Sequence, residues 1–91
     1  MKFELDEFCP CCGYDTKDIE DRLNYSICKI CFWEDDPFQL EEINEIGANY
    51  VSLVQGRKNF EKFGACEIEM INNVRKVTQQ DKRMPNYKVE L

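Results

Sequence analysis

No histidine occurs anywhere in this 91-residue chain. Its absence removes the commonest general base and the imidazole that usually activates a cysteine or serine nucleophile. No apolar run approaches the roughly 20 residues needed to cross a bilayer. Glycine and proline are sparse, at four and three residues, and neither an internal repeat nor a low-complexity segment is visible. The opening stretch Met1-Lys2-Phe3-Glu4-Leu5-Asp6-Glu7 is acidic and alternates in polarity, unlike a secretory leader. Against these gaps stand a hydrophobic content of 43% and six Phe, four Tyr and one Trp, which exclude a disordered chain. The length suits a single small domain over residues 1–91, in which a metal staple would supplement a modest core.

Positive charge is scarce in the first half. Residues 1–46 carry four basic against thirteen acidic side chains, a balance of −9, whereas residues 47–91 carry eight against five, a balance of +3. The acidic half would repel phosphate backbones, which makes nucleic acid an unexpected partner.

The strongest signal is cysteine spacing. Cys9 and Cys12 are separated by two residues, as are Cys28 and Cys31, with fifteen residues between the pairs. This is the spacing of a four-thiolate metal site, and it predicts one structural Zn(II) per chain on Cys9, Cys12, Cys28 and Cys31. Two intervening residues let a tight turn aim both sulfurs at one ion, and the longer insert closes the tetrahedron. Four protein ligands leave no open position, so such an ion holds structure and activates no water. Iron in a rubredoxin-like centre uses the same spacing. A disulfide framework is the less favoured alternative, because a leader is missing and the cysteines are paired. A redox C-x-x-C is weaker still, since no βαβ pattern surrounds either pair. The expected compartment is the reducing cytoplasm. Cys11 reads as a turn residue whose sulfur points away from the ion, the alternative being that it replaces Cys9 or Cys12. Cys66 reads as a buried small hydrophobe.

Phe3 and Leu5 alternate with charged residues and predict a short strand into the first knuckle. Pro10 fixes φ there, and Gly13 can take the positive φ that turns the chain past the metal. Tyr25-Ser26-Ile27 predicts a second strand, and Phe32 stands where the first knuckle has Gly13, so the two turns need not match. Leu40, Ile43 and Ile46 suit one or two helical turns or a packed loop. Ser52-Leu53-Val54-Gln55 is a capping-box pattern that opens a helix with Leu53, Gly56, Phe60 and Phe63 on one face, Gly56 packing closely against another backbone and Gly64 as its C-terminal cap. Cys66, Met70, Val74 and Val77 predict a second helix over about 65–77. Beyond Pro85 the tail is expected to add an edge strand or lie loose. The expected architecture is α+β: a zinc-ribbon-like β-hairpin module at about 3–37 packed against two C-terminal helices at about 52–77.

Trp33-Glu34-Asp35-Asp36 follows the second knuckle directly. It reads either as a solvated acidic loop with Trp33 packed over the metal module or as a docking surface for basic side chains. A divalent-metal nuclease centre is a poor third, lacking a supporting Lys or His. Arg75, Lys76, Lys82, Arg83 and Lys88 make the C-terminal part basic and read as a solvated face and tail, with nucleic-acid contact or pairing with acidic residues of the same chain as the alternatives.

Cys9-Pro10-Cys11-Cys12-Gly13-Tyr14, Tyr25-Ser26-Ile27-Cys28 and Cys31-Phe32-Trp33-Glu34-Asp35-Asp36 resemble the bacterial cysteine-rich CPCC family. Gly47-Ala48-Asn49, Val51-Ser52-Leu53, Arg57, Asn59 and Phe63-Gly64-Ala65-Cys66-Glu67 continue the match over roughly residues 8–75. The resemblance implies a small zinc-ribbon-like, partner-binding domain with no enzymatic activity to carry over, and members with the character of immunity proteins. The expectation is therefore a non-enzymatic, monomeric domain that binds a basic protein through Trp33, Glu34, Asp35 and Asp36, such as a nuclease-type toxin. The alternative is a nucleic-acid-associated zinc ribbon using its basic C-terminal part.

Overall fold

The computed structural model describes residues 4–91. Phe3, part of the first expected strand, lies outside the described residues. Among the described residues there are two α-helices: α1, Pro37–Glu41, and α2, Leu53–Phe63. Short 3-10 turns occupy Ile19–Asp21 and Ile68–Asn73. Among the described residues no helix is long and apolar enough to cross a membrane.

The β part of the expected architecture is reduced to two isolated bridges among the described residues, Tyr14 with Arg83 and Ile27 with Glu34. A hairpin ribbon does not develop around the second knuckle, and the local backbone shows why. Leu23 and Tyr25 both take φ of 60°, which breaks the extended run before Ile27. On the other edge, Asn49 closes the ladder by holding both backbone groups of Glu34, accepting from its N–H at 2.8 Å and donating to its C=O at 2.9 Å.

The α2 helix follows its sequence signals. Ser52 is the N-cap and its hydroxyl accepts from Gln55 N–H at 3.1 Å. The reciprocal half of the capping box is absent, because the Gln55 amide turns outward and donates to Asn59 Oδ1 at 2.8 Å. Gly64 ends the helix at φ 88°, its N–H donating to Phe60 O. Leu53, Gly56 and Arg57 are buried on the inner face, with Phe60 packed against the core beside them. Gly56 does permit a close approach, but to side chains and not to backbone: a Cβ there would meet Cys11 Sγ and the Trp33 ring, each at 3.2 Å.

The second helix expected over 65–77 does not form as such. Cys66 donates its N–H to Cys31 O at 2.8 Å, and its C=O accepts from the Asn59 amide at 2.8 Å. The Cys66 C=O, turned to Asn59, is not the acceptor that an α-helix would give Met70 N–H, which donates to Glu67 O at 3.0 Å instead. Glu67 is extended at φ −139°, only the 3-10 turn follows, and Val74 is extended again at φ −121°. Of the expected stripe only Cys66 is buried, and Ile71 and Val77 are exposed.

The tail is docked. Met84 N–H donates to Gly13 O at 2.7 Å and Asp15 N–H to Lys82 O at 2.9 Å. This lays the tail along residues 13–15 as a short edge. The core contains Cys9, Cys11, Cys12, Cys28, Ile30, Cys31, Trp33, Leu53 and Cys66, and the metal-ligand candidates sit inside it.

Candidate metal centre

Both C-x-x-C turns have the same backbone. In the first, Gly13 N–H donates to Cys9 O at 2.8 Å and Cys9 N–H to Tyr14 O at 2.9 Å. In the second, Phe32 N–H donates to Cys28 O at 2.8 Å and Cys28 N–H to Trp33 O at 2.9 Å. Gly13 at φ 82° and Phe32 at φ 72° share the left-handed region. The turns therefore match, although one uses glycine and the other a bulky residue that ordinarily avoids this conformation.

Side chains from elsewhere in the chain hold the first turn by its carbonyls. Arg57 Nε donates to Pro10 O at 2.8 Å, Tyr87 Oη to Cys11 O at 2.6 Å and Arg83 Nε to Cys12 O at 2.9 Å. Arg83 lies over the rings of Tyr87 and Tyr14, 4.0 and 4.8 Å from their centroids. The second turn is held by backbone instead, with Arg75 N–H on Lys29 O at 3.0 Å and Cys66 N–H on Cys31 O.

These turns bring together the four predicted ligands. The Sγ atoms of Cys9, Cys12, Cys28 and Cys31 all lie within 4.8 Å of one another, and all four residues are fully buried. Cys9 Sγ is 3.6 Å from Cys31 Sγ, and Cys12 Sγ is 3.7 Å from Cys28 Sγ. An ion with four sulfur arms of about 2.3 Å needs tetrahedron edges of about 3.8 Å, and these two separations fit that figure. They are far from the roughly 2.05 Å of a disulfide, and all six cysteines are free thiols. Thr16 Oγ1 lies 3.1 Å from Cys28 Sγ, and Ile30 N–H donates to the same sulfur at 3.4 Å. Donors aimed at a sulfur stabilise its thiolate form.

Four buried thiols cannot all ionise without a counter-charge. Burial pushes Cys9 and Cys31 well above the ordinary thiol range, and the neighbouring Cys28 and Cys31 sulfurs push Cys12 the same way. Cys28 moves down, because Cys12 and the other cluster thiols donate to it and Thr16 adds a further hydrogen bond. The cluster thus carries protons that a divalent cation would displace. The donor set fits one metal ion in a closed tetrahedral site, with zinc or iron as the chemistry it selects.

Cys11 and Cys66 are buried but stand outside the four-sulfur group. Cys66 is a buried small hydrophobe as its sequence context suggests, and burial raises its thiol above the ordinary range.

The expected docking surface is not brought together. Trp33 is 1% exposed, Asp35 0% and Asp36 4%, which leaves Glu34 as the one half-buried member of the four. Each buried group has an interior task. Trp33 packs against Gly56 of α2. Asp35 Oδ2 accepts from Arg22 Nε at 2.7 Å and from Leu23 N–H at 2.8 Å. Asp36 caps α1 through Phe38 N–H at 2.9 Å and accepts from Ala48 N–H at 2.9 Å. Buried in this way, Trp33, Asp35 and Asp36 present no exposed contact surface, although the carboxylates still contribute to the charge of this half. The basic cluster is similarly depleted, because Arg75 forms a fork onto Asp81 at 2.9 and 2.8 Å and Arg83 supports the first knuckle.

Sequence reasoning missed two polar residues that organise this region. Gln39 is fully buried: its amide donates to Glu45 O and Val51 O, each at 2.9 Å, and its oxygen accepts twice from Asn49. Nothing in their type or spacing sets them apart from surface amides. Asp36-Pro37 did carry a signal, an N-cap acid before a first-turn proline.

No curated protein matches this sequence. The pattern of the Cysteine-rich CPCC family covers residues 7–81, including both cysteine pairs, the Asp36 cap and all of α2, and the chain belongs to that family.

Proposed function

We propose that this chain is a non-enzymatic, zinc-stabilised domain that binds a basic protein. The observation carrying the metal part is the fully buried four-sulfur group with edges of 3.6 and 3.7 Å. A closed thiolate set leaves no coordination position for water or substrate, and the chain has no histidine to supply a base. The balance of −9 over residues 1–46 supports a cationic partner, and a filled site of four thiolates and one divalent ion would bring it to about −11. A nuclease-type toxin has this chemistry, since a cleft that holds phosphate must be cationic. A nucleic-acid role has less to draw on, with Arg75 and Arg83 engaged internally.

Elemental analysis of the purified protein should give one zinc per chain, and Cys28→Ser should lower that content sharply. Gel-shift titration with duplex DNA at about 0.15 M salt should give no retention. Zinc-free folded protein, or tight DNA binding lost on replacing Lys76 and Lys82, would defeat this reading.

A further inference from the structure

Beside the second knuckle, two hollows of about 190 Å³ and 420 Å³ share Tyr50 and Glu67 as a common wall. Phe32, Met70 and Glu34 also line the smaller one, and Ile68 and Glu69 lie in the larger. Among the described residues that line them, three are carboxylates and none is basic. The groove thus joins apolar walls to an uncompensated negative charge. Glu67 is only 8% exposed, whereas Tyr50 and Ile68 are 79% and 61% exposed. No ion pair reaches Glu67 from the described residues. Burial raises its carboxyl above the ordinary range, an amide hydrogen bond from Tyr50 opposes the rise, and Glu69 and Glu34 add to it. A hollow beside Ile30 differs in sign, with Arg75 and Lys76 at its wall.

We propose that this groove is the docking site for a basic segment of the partner protein, which places a lysine or arginine side chain between Phe32 and Tyr50 onto Glu34 and Glu67. The assignment rests on the reading of a basic protein partner and moves the contact away from Trp33, Asp35 and Asp36. An aromatic face beside carboxylates attracts a cation twice over, through the ring quadrupole and through charge-assisted hydrogen bonds. The exposed Tyr50 and Ile68 provide the apolar contact that charge alone lacks. An incoming cation would also supply the counter-charge that Glu67 lacks among the described residues.

The test is fluorescence anisotropy of metal-loaded full-length protein with a labelled peptide of alternating lysine and leucine. A peptide with glutamate in place of lysine is the control. The groove variant combines Glu34→Gln with Glu69→Gln, and a matched variant combines Glu42→Gln with Glu45→Gln, which are exposed acids outside the groove. Both pairs remove the same charge, and thermal unfolding checks that both are folded. The groove pair should weaken lysine-peptide binding about tenfold and flatten its salt dependence, while the matched pair changes it less than about threefold. Tyr50→Ala, at a highly exposed position, should weaken it as well. Equal behaviour of the two pairs, with the original chain still binding, would overturn the groove and leave the basic-partner reading standing. Failure of the original chain to bind the lysine peptide would overturn both.

Discussion

Gly13 and Gly64 hold left-handed backbone at φ 82° and 88°, but their surroundings differ. A Cβ on Gly13 would collide with the Tyr87 ring, whereas one on Gly64 would meet nothing within 4 Å. Gly64→Ala should therefore show the conformational cost alone, about 1 kcal/mol. Gly13→Ala adds displacement of the tail from the first knuckle and should cost about 3 kcal/mol. Urea denaturation of the metal-loaded variants would compare them, and equal costs would mean that the tail does not press on Gly13. Arg22 and Asp35 make the other decisive contact at this scale, with side chains 4% and 0% exposed. Removing the guanidinium strands a carboxylate in the interior, so Arg22→Ala should destabilise by about 3–5 kcal/mol. A loss below about 1 kcal/mol, the ordinary worth of a surface pair, would show that water reaches Asp35.

At the scale of elements, α2 owes its start to one side chain. The Ser52 hydroxyl satisfies a free amide of the first turn, while Gln55 turns away to Asn59. Ser52→Ala should cost about 1 kcal/mol, and Gln55→Ala should stay within about 0.5 kcal/mol. Thermal melts of both variants would settle the asymmetry, and comparable losses would restore the full capping box. The segment after α2 shows the opposite balance. Cys66, Met70, Val74 and Val77 have helical spacing, yet Cys66 spends its backbone groups on Cys31 and Asn59. Two tertiary hydrogen bonds anchor the entrance and Glu67 stays extended, and a weak periodic preference does not outweigh the cost of nucleating a helix there.

Across the whole molecule, the four-cysteine cluster is also the centre of the core, so binding of a metal ion there would be coupled to folding. Chelation should abolish the cooperative thermal transition, and acidification should do so as protons compete for the four sulfurs. A transition unchanged by a strong chelator, with metal loss verified, would contradict this. The tail gives a second dependence on pH. Burial pushes the Tyr87 phenol up to about 12, where it donates to Cys11 O. An unfolded tyrosine ionises near 10. Between about pH 10 and 12 the unfolded chain releases a proton that the folded chain keeps, so stability should fall as pH rises through that window and be unaffected below it. Tyr87→Phe should remove this part of the slope in alkaline denaturation, and an unaltered slope would mean that the phenol titrates freely.

Some of these features were legible in the residues alone because their causes are local. Cysteine spacing determined the four-sulfur group, since two intervening residues suffice to aim two sulfurs at one ion. Ser52, Gly13 and Gly64 announced a cap and two left-handed turns, since each acts on its own neighbours. The packing of Trp33 over the cysteine module was one of the two readings its sequence offered, and it is the one the structure adopts. The burial of Asp35 and Asp36 was not legible, nor were the roles of Gln39 and Asn49, because an acid or an amide looks alike on a surface and in a core. Only the tertiary structure decided them, by supplying Arg22, Ala48 and Glu34 as partners from distant parts of the chain. The same long-range pairing turned a predicted helix into a 3-10 turn and the predicted strand at 25–27 into a single bridge at Ile27. In a chain this short, contacts across the metal core outweigh the preferences of segments too brief to hold a shape by themselves.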